Sequence, residues 1–220
     1  MLDFIISEEV KEKCPNVVLG LIEADVTVSD SCDELIKEMD ICCDEEKDKI
    51  RLEELASCRE IKDGREAYKS LGKSPSKYRL SSEALLRRVL QCKGLYRVNN
   101  IVDINNIISL KSKFPVGSYD LSNITAPVYL NRAEESATYK GIGKDYLNIE
   151  HLPVLVDEDG AFGSPTSDSQ RAMITEKANR IVICIYSFSG RENLEEYLDE
   201  AENLMIKYAN GCNFERKIVE

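Results

Sequence analysis

The sequence predicts a mixed α+β fold, a β-sandwich-like core with helices packed on its outside. Three observations carry this expectation. Two β-branched runs, at 16–28 and 181–187, read as strands although they lie far apart in the chain. Residues 193–208 place Leu194, Tyr197, Leu198, Ala201, Leu204, Met205 and Tyr208 on one stripe at helical spacing. Helical patterns dominate before residue 113, and strand patterns follow from 114 onward.

In order along the chain, residues 2–6 read as a first strand and 16–28 as a second, partly alternating one. Asp30 or Ser31 is placed to cap a helix running through Met39. The charged stretch 44–61 keeps Ile50, Leu52, Leu55, Ala56 and Ile61 largely at helical spacing. Asp63-Gly64 is expected to interrupt it, with Ala67, Tyr68 and Leu71 continuing a helical face to Gly72. Lys73-Ser74-Pro75-Ser76-Lys77 reads as a turn or short linker. It divides the chain into an N-terminal α/β part, 1–72, and a core, 73–220. Ser81 or Ser82 then caps a helix closed by Gly94, with Ala84, Leu85, Val89 and Leu90 inward. A second helix covers roughly 99–111 and buries Ile101, Ile104, Ile107 and Ile108, leaving Asp103, Asn105 and Asn106 at the other positions. Strands are expected at 128–132, 154–157 and 181–187, a turn at Asp157-Glu158-Asp159-Gly160, and Gly211 ends the last helix.

Composition narrows the class. The chain has 220 residues, 43% hydrophobic and 31% charged, and no apolar run long enough to span a bilayer. Its start lacks a basic region before a long apolar stretch, so no secretory signal is expected. Eight scattered cysteines without a Cys-x-x-Cys pair, beside one histidine, predict reduced thiols in a cytoplasmic protein. No metal site and no cofactor are expected. The net charge of −11 hides an asymmetry: residues 1–66 carry net −11, residues 67–113 net +8 and residues 114–220 net −8. A basic middle between acidic flanks is a candidate polyanion footprint, or else a set of cations that neutralises its neighbours.

Standard nucleophile machinery is missing, because any Ser-His or Cys-His arrangement would have to use His151. Gly141-Ile142-Gly143-Lys144 lacks phosphate-loop spacing and reads as a hairpin turn. The segment from Gly163 to Thr175 is more informative. Its hydroxyls, one carboxylate and one guanidinium suit a polar ligand, or alternatively a turn in which Asp168 or Ser169 caps a short helix and Arg171 pairs with a carboxylate. Asn99, Asn100, Asp103, Asn105 and Asn106 sit in an otherwise apolar helix, where asparagine is a poor helix former, so either hydrogen bonding or pocket lining keeps them there. Asp120 either fixes the turn after Pro115 or faces a ligand amine.

One ordered set of residues goes further. Arg87-Arg88 lie on a helix ending at Gly94; Arg97, Asn99-Asn100, Val102-Asp103 and Asn105-Asn106 follow, then Pro115 and Tyr119-Asp120-Leu121. This order resembles the B3/B4 domain of the phenylalanyl-tRNA synthetase β subunit, over roughly 75–190. The resemblance implies a stand-alone B3/B4 domain that binds tRNA, with hydrolysis of mischarged aminoacyl-tRNA as the family's activity. It implies phosphate contacts from Arg87, Arg88, Lys93 and Arg97. It also implies an aminoacyl pocket lined by Ser164, Thr166, Ser167 and Asp168, with Asn106 and Asp120 behind and Arg171 on a carboxylate or phosphate. Two positions depart from the family. Gly117 stands where many synthetases carry histidine, and Ser167-Asp168-Ser169 replaces a Gly-Gly-Glu element. The alternative is a non-enzymatic module for a free amino acid, a small ligand or a protein partner. The catalytic residue and the oligomeric state are not legible.

Overall fold

Alternation along two long strands sets the architecture. β2 (Val18–Asp25) turns Leu19 and Leu21 toward one apolar cluster and Val18, Ile22 and Ala24 toward another. Its antiparallel neighbour β9 (Arg180–Ser187) does the same, with Val182, Cys184 and Tyr186 on the first side and Ile181, Ile183 and Ile185 on the second. A strand apolar on both faces must be covered on both. The computed structural model, which describes residues 1–220, covers one face with a second sheet and the other with helices.

The remaining elements are β1 (Phe4–Ile6), α1 (Glu8–Lys13), α2 (Asp33–Lys49), α3 (Arg59–Leu71), α4 (Ser81–Leu90), α5 (Asn100–Ser112), β3 (Val116–Asp120), β4 (Val128–Arg132), β5 (Thr138–Lys140), β6 (Tyr146–Asn148), β7 (Pro153–Asp157), β8 (Gly160–Gly163), α6 (Leu194–Ala209) and β10 (Cys212–Val219). The middle layer is the four-stranded sheet β10-β2-β9-β3, and the outer layer is the four-stranded sheet β1-β4-β7-β8. All neighbours are antiparallel except β1 and β4. Phe4, Leu130, Val154 and Phe162 meet Leu19, Tyr119 and Tyr186 between the sheets. Beneath the middle sheet lie α2, α4, α5 and α6, with α5 in contact with each of the other three.

Several expected boundaries move. The second strand is shorter than 16–28, running from Val18 to Asp25, although Val26 N–H still bonds Asn179 O just past its end. The helix expected to stop at Met39 runs to Lys49 and starts after Cys32, so neither Asp30 nor Ser31 caps it. Asp63-Gly64 does not interrupt α3. Gly64 is where the helix meets Leu80, and a Cβ there would lie 2.5 Å from Leu80 Cδ1. Ser81 and Ser82 are the first residues of α4 rather than its cap, and α4 ends at Leu90, short of Gly94. Asn99 does cap α5, its Oδ1 accepting from Val102 N–H at 2.9 Å. Asp103 and Asn105, expected away from the buried face, are buried (0% and 6% exposed) because α5 is surrounded on every side.

Candidate functional site

A cleft of about 490 Å³ opens where the edge of β3 meets the helical layer. Four segments of the chain form it. α4 offers the face Ser81, Ala84, Leu85 and Arg88; α5 offers Val102, Asn105 and Asn106; β3 offers Val116, Gly117 and Ser118. The fourth wall is the loop after β8, through Thr166, Ser167 and Asp168, with Met173 and Ile174 beyond it. Tyr96, Val98, Ile142 and Lys144 rim the mouth, and the first three are large apolar side chains left exposed.

The loop satisfies most of its own polar groups and is tied to its neighbours. Ser164 Oγ accepts from the N–H groups of Thr166 (3.3 Å) and Ser167 (3.1 Å) and donates to Ser167 O at 2.9 Å. Tyr139 OH donates to Ser164 Oγ at 3.1 Å and also bonds Ser167 O. Thr166 Oγ1 and Tyr68 OH share a hydrogen bond of 2.7 Å, which ties the loop to α3. Ser81 N–H donates to Pro165 O at 2.8 Å, which ties it to α4.

Asp168 sits at the centre. Its Oδ1 accepts from Ser164 N–H at 3.0 Å and from Tyr119 OH at 2.8 Å. The Tyr119 hydroxyl is in turn 2.6 Å from that of Tyr186. Oδ2 makes no hydrogen bond within the protein, and the residue lines the cleft. Burial pushes the carboxyl up from 3.8 to about 6, against the opposing effect of the Ser164 N–H and the Tyr119 hydroxyl. Burial also holds the Tyr119 and Tyr186 phenols well above their ordinary range, so both stay protonated. Asn105 is the second polar anchor. Its Nδ2 donates to Ser118 Oγ at 2.6 Å, while its buried Oδ1 has no partner. A buried carbonyl oxygen without a donor is costly.

The structure brings Asn106, Thr166, Ser167, Asp168 and Arg88 together in this cleft. It places the other expected site residues elsewhere. Ser164 lies behind the loop it organises. Asp120 is buried and accepts from Ser122 N–H (3.0 Å), Ser122 Oγ (2.8 Å) and Asn123 Nδ2 (3.1 Å), so it fixes the turn after β3. Arg171 forks onto Asp157 at 2.7 and 3.1 Å and donates to Asn123 O and Gly160 O. Among the expected cations, Arg87 donates to Glu83 at 3.0 Å and Arg97 pairs with Asp40 at 3.5 Å. Arg88 stacks on Tyr96, 4.1 Å from the ring centroid, and Lys93 is exposed. Ser118, Tyr96 and Lys144 were not among the expected site residues, whereas Asn105 was weighed for hydrogen bonding or pocket lining, as an asparagine within an isoleucine-rich helix.

Gly117 has a clear structural cause. A Cβ there would lie 2.3 Å from Tyr119 OH, the hydroxyl that holds Asp168. Position 117 therefore takes no side chain while Tyr119 keeps this rotamer.

The two stacked sheets with helices beneath define a two-sheet α+β domain. The chain belongs to the B3/4 domain family, which matches residues 63–210. Its fold is similar to the crystal structure of an N-terminal fragment of the phenylalanyl-tRNA synthetase β subunit from Pyrococcus horikoshii, with a TM-score of 0.50 and 13% sequence identity. That similarity covers 99% of this chain and 50% of the fragment, so the chain spans half of that structure's length. No curated protein matches the chain. No helix is long and apolar enough to cross a membrane.

Proposed function

We propose that this chain takes the aminoacylated 3′ end of a tRNA into the cleft and hydrolyses the ester in trans. The observation that supports this reading best is Asp168 Oδ2, an acceptor with no partner in the protein, in one cleft with Arg88 and Lys144 on its lining. Asp168 Oδ2 would orient a water and take its proton as the water oxygen bonds to the ester carbonyl carbon. Collapse of that intermediate breaks the bond to the ribose oxygen, which leaves protonated, releasing a free amino acid and the tRNA. A carboxyl titrating near 6 is ionised at neutral pH and close enough in basicity to serve as the base. The closed hydrogen bonding of Ser164 and Thr166 supplies orientation rather than a nucleophile.

A second reading, a binder of free amino acids, draws support from Gly117. Packing against Tyr119 bars a side chain from the position where many synthetases carry histidine. One experiment separates the two. A panel of correctly and incorrectly charged tRNAs is followed for ester loss with wild type and with Asp168→Asn. Accelerated loss of one species, abolished in the variant, supports the hydrolase. No acceleration across the panel, together with thermal stabilisation by a free amino acid, favours the binder.

A further inference from the structure

Outside the cleft, α4 carries a side-chain cluster that its fold does not require. Glu83 is fully buried, 0% exposed, and three guanidinium groups converge on it. Arg65 Nη1, from α3, donates to both carboxylate oxygens at 3.1 Å. Arg87 Nε donates at 3.0 Å, and Arg79 Nε stands 3.8 Å away. No other carboxylate pairs with any of the three, so two positive charges stay uncompensated. Arg65 Nε and Nη2, both Nη atoms of Arg87 and every guanidinium nitrogen of Arg79 make no hydrogen bond within the protein. The three side chains remain 25%, 50% and 31% exposed in the order Arg65, Arg79, Arg87.

As an adhesive between α3 and α4 this arrangement is poor. A buried ion pair seldom outperforms apolar residues of the same volume, and three cations on one anion repel one another. Gly64 on Leu80 already brings the two helices into close contact. What the buried carboxylate does achieve is to hold the Arg65 and Arg87 guanidinium groups by hydrogen bonds while both keep unspent donors. Planar forks with fixed orientation match the paired oxygens of a phosphodiester.

We propose that Arg65 and Arg87, oriented by Glu83, together with the unbonded Arg79 beside them, form a phosphodiester clamp for the RNA strand whose 3′ end enters the cleft. This rests on the reading of the cleft as an RNA-end site. The placement suits it. Ser81, Ala84, Leu85 and Arg88 line the cleft from the same helix, and Glu83 and Arg87 lie on the adjoining face. Arg65 is one turn from Tyr68, whose hydroxyl holds Thr166 of the cleft loop.

The test measures binding of unfractionated tRNA, and of an RNA minihelix with a single-stranded CCA end, across a salt series. Arg79→Ala is the main variant, because Arg79 makes no hydrogen bond that the fold would lose. It should bind several-fold more weakly, with the slope of log affinity against log salt flattened by about 0.7. Glu83→Gln separates orientation from bulk charge. It removes one negative charge, so simple attraction predicts tighter binding, whereas an oriented clamp predicts weaker binding. Thermal unfolding of both variants checks that each is folded. Wild-type binding with unchanged affinity and slope in Arg79→Ala overturns the clamp and leaves the cleft reading standing. Absence of RNA binding by wild type overturns both. Inorganic pyrophosphate is the control ligand: if Arg79→Ala weakens its binding but not that of RNA, the cluster is a free-anion site and the RNA assignment falls.

Discussion

Replacing Asp168 by asparagine should stabilise the protein at neutral pH while removing its proposed chemistry. The carboxyl titrates near 6 in the folded chain because burial disfavours its charged form. In the unfolded chain it returns to about 3.8. The folded state therefore holds the proton more tightly, and stability falls as pH rises through the window from about 4 to 6. A shift of this size corresponds to roughly 3 kcal/mol at its limit, since one unit is 1.36 kcal/mol. Water reaching Oδ2 through the cleft reduces that, so we expect about 1–3 kcal/mol. An asparagine keeps the Oδ1 acceptor for Ser164 N–H and Tyr119 OH and removes the charge. Urea unfolding of both proteins at a series of pH values between 4 and 8 measures the difference. The two curves should converge near pH 4 and separate above pH 6, with Asp168→Asn the more stable. A difference that does not vary with pH, or a variant less stable at pH 8, would refute the argument that burial of this charge carries a cost. The same substitution should abolish ester hydrolysis, giving a residue retained against stability, as active-site groups often are.

Three further outcomes follow from local geometry. Gly117→Ala should destabilise by about 1–3 kcal/mol, as overpacking does, because its Cβ meets Tyr119 OH at 2.3 Å; chemical denaturation measures it, and an Ala variant of wild-type stability would show that Tyr119 can move freely. Lys73→Met should cost about 1–3 kcal/mol, since the buried ammonium donates to Asn148 Oδ1 at 2.8 Å and to Glu150 O, and methionine leaves both without a donor; an unchanged midpoint of thermal unfolding would count against this. Asn99→Ala should cost about 1 kcal/mol through loss of the α5 cap, and Asn99→Ser should recover most of it; equal loss in both would show that the cap bond is not the cause.

How much of this was readable in the chain depends on how local each cause is. The long strands β2 and β9 and the helix α6 announced themselves, because their apolar periodicity is set within a single element. The cap at Asn99 was readable for the same reason. β10 left little trace: it is an edge strand reading Cys-Asn-Phe-Glu-Arg-Lys-Ile-Val, and an edge open to solvent needs no alternation of burial. The cleft was half legible. Its loop stood out by composition, but Asp168 owes its raised titration to burial that exists only after folding, and its Oδ1 is held by Tyr119, 49 residues away, whose hydroxyl bonds that of Tyr186, 67 residues further along the chain. Charge was the most misleading signal. Summed along 67–113 the basic residues look equivalent, yet Arg97 is paired with Asp40, Arg88 is folded onto its own loop, and Arg87 shares a buried carboxylate with two others. Arg65 falls outside that segment altogether and joins the cluster only because Gly64 lets α3 approach the start of α4. A phosphate-binding surface is defined by which donors remain unspent after folding, and that quantity exists only once the partners are known.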